Sequence, residues 1–282
     1  MWGRRMRSVL LAIFAVIVVG AMPAHAQGAA PTPSAKPEAP DSCPGLVAER
    51  PPFRSLVRRV ALNDQVRLTY VGHSTFLIES PQMVRIATDY NGYVKPPMIP
   101  DVVTMNHAHS THYTDSPEPE IKLVLRGWAQ EFGKPARIDQ QFKDVRIRNV
   151  PTNIRSYYGS AETERHGNSI FIFEVAGLCI VHLGHLHHTL NAQQISEVGR
   201  PDVVLVPVDG SYTLDIEGMI EVLRGLKARM VIPMHYFSSY TLDRFLAQVG
   251  REWEVEISPV PSVLLSKATL PQKPKLLVLP GH

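Results

Sequence analysis

Histidine is the residue type in this sequence whose placement points most directly to chemistry. The chain has 12 histidines among 282 residues. Five of them follow three short apolar runs: His107, His109, His112, His185 and His235. Imidazole is the protein ligand that transition ions bind most often, and strands that end at one sheet edge can bring distant histidines together. The spacing therefore predicts a metal site built from three separate segments.

Short apolar runs predict the strands that would position these histidines. The three runs that precede them are residues 101–105, 178–183 and 231–234. Further runs predict strands at residues 66–71, 75–79, 84–88, 169–175, 203–208, 254–257 and 263–266, and helical spacing predicts helices at 190–198, 216–226 and 242–249. Strands come first and then alternate with helices. This order indicates an α+β protein in which two sheets pack together with helices outside.

The N-terminal residues have the pattern of a secretory signal. Arg4, Arg5 and Arg7 precede an apolar run at residues 9–20, and Ala24-His25-Ala26 forms a small-x-small cleavage site. The run is shorter than the roughly 20 residues of a spanning helix. We therefore expect residues 1–26 to be removed, leaving a periplasmic or secreted protein with no stable membrane insertion.

The remaining chain divides into a lead-in and one domain. Residues 27–60 begin with an Ala/Pro-rich stretch that is too poor in large apolar side chains to fold, so we expect a flexible segment there. Residues 61–282 suffice for a single domain with a full core. The 29 basic and 26 acidic residues include several arginines of the signal segment. The nearly neutral domain therefore gives no indication of a nucleic-acid partner.

Two cysteines, Cys43 and Cys179, leave two interpretations open. An oxidising compartment would permit a bond between them. Alternatively, Cys179 is a small core residue of its strand and Cys43 is free.

Several segments resemble the metallo-β-lactamase superfamily, in the branch of lactonase-like and phospholipase-like hydrolases. The similarity extends from about residue 68 to 236 and preserves the family order: residues 71–79, the 107–112 loop, and residues 167–171, 182–184 and 232–236. The resemblance implies an αββα sandwich with a metal site at one edge. It also implies hydrolysis by a metal-bound hydroxide.

Three positions depart from the ligand pattern of that family. Thr111 stands where the first loop usually has Asp, and His185 stands where a bridging Asp is usual. After Val150-Pro151, the expected His is absent and Ile154 lies in its place, with Arg155 beside it. Two of the three changes remove a carboxylate.

The loss of carboxylates argues for one metal ion. Two divalent ions about 3.5 Å apart need anionic ligands between them, which neutral imidazoles do not replace. We expect the ion to be held by His112, His185 and His235, with His107 and His109 as additional or supporting ligands. Three histidines and a water molecule are typical of catalytic zinc, although other transition ions also accept imidazole.

Several other residues are candidates for supporting roles. Asp89 and His187 are predicted to orient a ligand, and His73 and His188 to act on the water molecule. Arg155 could bind an anionic group of the substrate or form a structural ion pair. For His73, His166 and His182, a hydrogen-bonded core histidine is the alternative interpretation.

Two functions from different classes remain. The first is an exported hydrolase that acts through its metal on a small-molecule ester, lactone, amide or phosphodiester. The alternative is a non-catalytic metal-binding or ligand-binding protein, a degenerate hydrolase, because the carboxylates expected at Thr111 and His185 are missing. The sequence does not select the substrate or the oligomeric state.

Overall fold

The computed structural model describes residue 43 and residues 64–106, 110–131, 133–155, 164–249 and 252–281. The predicted signal segment, the lead-in apart from Cys43, and the pair His107 and His109 lie outside the described residues. Among the described residues, no helix combines the length and apolar character needed to cross a membrane.

Strands and helices follow one another in the order expected of an α+β protein. The strands are β1 (Val66–Gly72), β2 (Thr75–Glu79), β3 (Arg85–Ala87), β4 (Val102–Met105), β5 (Leu123–Arg126), β6 (Asp139–Phe142), β7 (Val145–Ile154), β8 (Glu164–Val175), β9 (Leu178–His182), β10 (Val203–Pro207), β11 (Met230–Met234), β12 (Glu254–Ile257), β13 (Ser262–Leu265) and β14 (Lys275–Val278). The helices are α1 (Ala192–Val198), α2 (Ile216–Leu226) and α3 (Ser239–Val249).

These strands form two sheets. The six-stranded sheet has the order β13-β1-β2-β3-β4-β5, and the eight-stranded sheet has the order β12-β14-β11-β10-β9-β8-β7-β6. Strands β9, β10 and β11 are parallel neighbours, as are β3 and β4 in the other sheet. The C-terminal ends of parallel strands lie at the same edge of their sheet, and these ends carry the candidate site.

Period-two alternation along the central strands creates two apolar layers. In β8, Phe171 and Phe173 pack into the core between the sheets, whereas Ile170 and Ile172 pack on the opposite face. That opposite face is covered by apolar residues of all three helices. The predicted α+β sandwich of two sheets with outer helices is confirmed.

Helix α2 illustrates why the helices form where they do. Its apolar residues recur at helical spacing, and Met219, Leu223 and Leu226 are buried against the eight-stranded sheet. Asp215 caps the N-terminus by accepting a hydrogen bond from the N–H of Gly218 at 2.9 Å. Lys227 ends the helix in a left-handed conformation.

A disulfide bond joins Cys43 to Cys179 of β9 across 136 positions in sequence. Both cysteines are buried in the apolar layer between the eight-stranded sheet and the helices. The alternative of a free Cys43 is therefore wrong, because Cys43 lies against β9 and not away from the domain. The sequence could not decide this point, since pairing depends on how the N-terminal segment returns to the sheet.

Candidate metal centre

Strand ends from both sheets supply the side chains of the site. In the eight-stranded sheet, β9, β10 and β11 are followed by His185, Asp209 and His235. In the six-stranded sheet, Asp89 follows β3 and His112 lies in the loop after β4. The edge of the sandwich thus gathers residues that are far apart in sequence.

His112 is fully buried and is oriented by Asp89. Its Nδ1 donates a hydrogen bond to Oδ2 of Asp89, while Oδ1 of the same carboxyl accepts one from the backbone N–H of Asn106 at 3.0 Å. Burial raises the pKa of Asp89, and the nearby His182 and the Asn106 N–H partly oppose that rise. With Nδ1 engaged in this way, Nε2 is the His112 nitrogen that would bind an ion.

His235 has the same arrangement with Asp209. Its Nδ1 lies 3.0 Å from Oδ1 of Asp209. Oδ2 of Asp209 accepts hydrogen bonds from the backbone N–H groups of Ser211, Tyr212 and Thr213 at 2.9, 2.6 and 3.0 Å. Burial alone would raise the pKa of Asp209, but His235 and these donors together hold it well below its usual range. Asp209 is therefore a carboxylate at neutral pH.

His185 reaches the same space from the end of β9. Its Nδ1 lies 2.8 Å from Nε2 of His112, a hydrogen-bond distance, and its backbone N–H donates to Oδ1 of Asn168 at 2.8 Å. The preceding Gly184 has φ +62°, and a Cβ there would lie 2.3 Å from Nδ2 of Asn106 and 2.7 Å from Oδ1 of Asn168. Only glycine can occupy that position without displacing the Asn168 amide, which holds His185, and the Asn106 amide, which contacts His182.

His73 is a fourth imidazole at this point, in the turn between β1 and β2. Its ring centre lies 4.4 Å from that of His235 and 5.2 Å from that of His112. The possible ligand nitrogens of these three residues all lie within 4.8 Å of one another. The carbonyl of His73 also accepts the backbone N–H of His235 at 2.7 Å, which fastens the turn to β11.

The donor set fits a transition ion. Zinc binds imidazole nitrogen at about 2.1 Å in a tetrahedron, so ligand nitrogens of one ion lie about 3.4 Å apart. Small ring movements would bring the His73, His112 and His235 nitrogens to that separation. His185 and His112 can bind the same ion only if the hydrogen bond between them opens. The two carboxylates described here, Asp89 and Asp209, face Nδ1 atoms, an arrangement common behind metal-binding histidines.

The remaining predicted residues lie near the site in different ways. His187 is buried with its ring centre 4.9 Å from that of His185. Arg155 donates hydrogen bonds from one guanidinium nitrogen to the carbonyls of Ser211 and Thr213, the latter at 3.0 Å. Arg155 thereby stabilises the loop whose backbone N–H groups donate hydrogen bonds to Asp209. Partial burial and the charge of Arg155 lower the pKa of His188.

His182 has the geometry of a core histidine. Its Nε2 lies 2.8 Å from the carbonyl of Ser74, and its Nδ1 lies 3.1 Å from the backbone nitrogen of Gly184 and 3.0 Å from Nδ2 of Asn106. Burial lowers its pKa. The neutral ring therefore donates once and accepts twice, and it ties β9 to the turn that carries His73.

Three supporting residues were not found from the sequence: Asp209, Asn106 and Asn168. Asp209 could have been found, because it directly follows the predicted strand at residues 203–208, as His185 and His235 follow theirs. Asn106 acts through a contact between the two sheets, and Asn168 through contacts with β7 and with the turn after β9, which no local pattern reveals.

The chain is similar to a known family over the segment that carries the site. Residues 67–235 match the family described as a β-lactamase superfamily domain. A relative from Archaeoglobus fulgidus, a UPF0173 metal-dependent hydrolase, is 27% identical over 200 residues, which cover 61% of this chain and 83% of that protein. A relative from Ignicoccus hospitalis with the same description is 28% identical over 201 residues, covering 61% and 82%.

Solved structures show the same fold. A protein of Thermotoga maritima, assigned as a Zn-dependent hydrolase of the metallo-β-lactamase superfamily, has a TM-score of 0.57 and 27% identity, covering 77% of this chain and 100% of that one. Igni18, a metallo hydrolase of Ignicoccus hospitalis, has a TM-score of 0.52 and 26% identity, covering 72% and 99%.

Proposed function

The chain belongs to the metallo-β-lactamase superfamily, and from this membership we propose that it is a metal-dependent hydrolase. The observation that carries the proposal is the matched pair His112 and His235. Each imidazole is buried with Nδ1 on a buried carboxyl group, so that Nε2 is the nitrogen that would bind an ion. Buried carboxyl–histidine pairs at the ends of two different sheets are hard to explain as packing alone.

The reaction is addition of water across an ester, lactone, amide or phosphodiester bond of a small molecule. When bound, a divalent ion supplies an activated water and polarises the bond to be cleaved. Asp89 and Asp209 hold the two ligand rings in place. His73 is half-buried and lies beside His235. We assign to one of its ring nitrogens the transfer of the proton from water to the leaving group, so that acid and alcohol, or amine, are released.

We propose one ion, with zinc as the first candidate, and His112, His185 and His235 as its ligands. The carboxyl groups of Asp89 and Asp209 support this, because each contacts the Nδ1 atom of a ligand candidate. Without an anionic bridge, repulsion between two divalent ions would disfavour double occupancy.

We also propose that the protein is exported and acts in the periplasm or outside the cell. The signal pattern at residues 1–26 is the basis for this. The disulfide between Cys43 and Cys179 supports it, because such bonds persist in oxidising compartments and are rare in the cytosol.

One observation favours the alternative of a non-catalytic binding protein. The hydrogen bond between His185 Nδ1 and His112 Nε2 satisfies two of the candidate ligand atoms without any ion. In that case the site would be a remnant whose histidines stabilise the edge of the sandwich.

Metal analysis and hydrolysis assays on the same protein distinguish the two functions. We expect untagged protein to contain close to one divalent ion per chain, and to hydrolyse a generic ester or phosphodiester until a chelator removes the ion. His235→Ala should lose both properties while circular dichroism shows a folded chain. Two tightly bound ions would disprove the single-ion site. Bound metal without hydrolysis of any substrate class would favour the binding protein, and no affinity for metal would overturn both metal-based functions.

A further inference from the structure

Two exposed aromatic side chains stand next to the histidines of the site. Tyr212 is 54% exposed and Phe237 is 58% exposed. Their rings meet edge to face with centres 5.5 Å apart. The Phe237 ring centre lies 5.2 Å from that of His235 and 6.0 Å from that of His73. This aromatic pair, Tyr212 and Phe237, therefore borders the space into which the imidazoles point.

The framework of the site also holds this pair in position. Phe237 is two residues beyond His235, and the backbone N–H of Tyr212 donates to Oδ2 of Asp209 at 2.6 Å. Oδ1 of the same carboxylate orients His235. The residues that position His235 therefore also position both aromatic rings. Loops tied down in this way can present a binding surface with little loss of entropy.

Covering a large, solvent-exposed apolar side chain with a ligand makes the free energy of binding more favourable. The aromatic pair and the His-rich centre therefore give a bound molecule an apolar environment and a polar one within about one side-chain length of each other. A molecule that bears a hydrolysable polar bond and an adjacent apolar group would match both.

We propose that Tyr212 and Phe237 bind the apolar part of the substrate, and that the protein prefers substrates with a hydrophobic acyl or aryl group beside the bond that is cleaved. This inference rests on the proposed hydrolase function and narrows its substrate class. It makes Tyr212 and Phe237 specificity-determining residues, which contact the substrate away from the reacting atoms.

Binding of alkyl hydroxamates tests the aromatic pair without any turnover. The hydroxamate head binds metal ions, so acetyl, butyryl and hexanoyl hydroxamates differ only in the tail. Calorimetry with zinc-loaded protein should show that the affinity rises about twofold for each methylene in the tail. Full burial of a methylene would raise the affinity about fourfold. An open surface covers only one side of the tail, so about half of that free energy is expected. In Phe237→Ala and Tyr212→Ala the rise should flatten while the affinity for the acetyl compound is kept. Phe237→Leu should retain most of the rise.

Met83→Ala is the matched control. Met83 is 60% exposed in the turn between β2 and β3, at the opposite end of β2 from His73. This variant should keep the parental dependence on tail length. An unchanged rise in Phe237→Ala and Tyr212→Ala, or no rise in the parent protein, would overturn the proposal.

A parallel series of esters separates this proposal from the hydrolase function. For acetyl to hexanoyl esters of one alcohol, kcat/KM should rise with acyl length in the parent and rise less in Phe237→Ala, mainly through KM. Hydrolysis that is equal for all acyl lengths would overturn the aromatic pair and leave the hydrolase standing. Tail-dependent hydroxamate binding in a protein that hydrolyses nothing would support the aromatic pair as a binding surface and reject the hydrolase.

Discussion

The ligand candidates of this site are distinguished by the contacts of their ring nitrogens. His112 and His235 are alike, since Asp89 and Asp209 engage their Nδ1 atoms. The third ligand has two candidates that the structure brings to the same space, His185 from the sequence pattern and His73 from the geometry. The sequence could indicate His185 because it follows a strand. It could not indicate that the turn at His73 folds back against β11, because that contact joins two sheets.

Alanine substitution of the two candidates should identify the third ligand. We expect folded His185→Ala to lose more than 100-fold in zinc affinity, because His185 is buried and already contacts Nε2 of His112. His73→Ala and His187→Ala should lose less, about 10 to 100-fold at most, which is the usual cost of removing a group that supports the ligands without binding the ion. Competition with a chromophoric chelator measures these affinities. Parental affinity in His185→Ala together with strong loss in His73→Ala would make His73, His112 and His235 the ligand set.

At the scale of elements, long apolar runs such as β10 were predictable, whereas the short strands β5 and β14 and the polar strands β6 and β7 were not. Strand β10 is buried along its whole length and was recognised from its valines and leucine. Strand β6 is largely exposed, and β7 has Arg146, Arg148 and Asn149 among its apolar residues, so neither has a strong local pattern. Arg148 is accommodated by an ion pair with Glu174 and by the carbonyls that end α1. Strand β7 is stabilised by pairing with β8, and β6 by pairing with β7, which only the folded chain reveals.

The turn after β9 should be the least tolerant connection near the site. A Cβ on Gly184 would clash with the amides of Asn106 and Asn168 and would strain a residue at φ +62°. We expect Gly184→Ala to lower the free energy of unfolding by about 2–4 kcal/mol. Overpacking accounts for about 1–3 kcal/mol of this loss, and the strain of alanine at a positive φ for about 1 kcal/mol. Metal affinity should fall as well, because Asn168 holds His185.

Gly177→Ala is the control for that substitution. Gly177 has a similar φ of +74°, but a Cβ there would meet nothing within 4 Å. Gly177→Ala should lower the free energy of unfolding by only about 1 kcal/mol and leave metal affinity unchanged. Urea denaturation gives both free energies. Equal losses in the two variants would mean that backbone strain alone, and not the packing behind His185, explains the effect.

At the scale of the whole molecule, the disulfide links an N-terminal residue to the strand that leads to His185. Cys179 lies in the middle of the apolar layer under the helices, and Cys43 fills space beside it. The fold could be predicted from the order of strands and histidines because these patterns are local. The link to Cys43 could not, because it depends on where a segment outside the predicted domain returns to the sheet.

Loss of this link should destabilise the chain mainly through the unfolded state. A bond between cysteines 136 positions apart restricts the unfolded chain strongly, and its removal should lower the free energy of unfolding by about 2–5 kcal/mol. We therefore expect Cys43→Ala to unfold at lower urea than the parent, and a reductant to bring the parent to the same midpoint without affecting the variant. Zinc affinity of the folded variant should stay at the parental value, because Cys43 lies in the apolar layer under the helices, whereas the ligand candidates lie where the strands end. If neither the substitution nor the reductant changes the urea midpoint, Cys43 contributes no stability. If zinc affinity falls in the folded variant, Cys43 positions β9 and, through β9, His185.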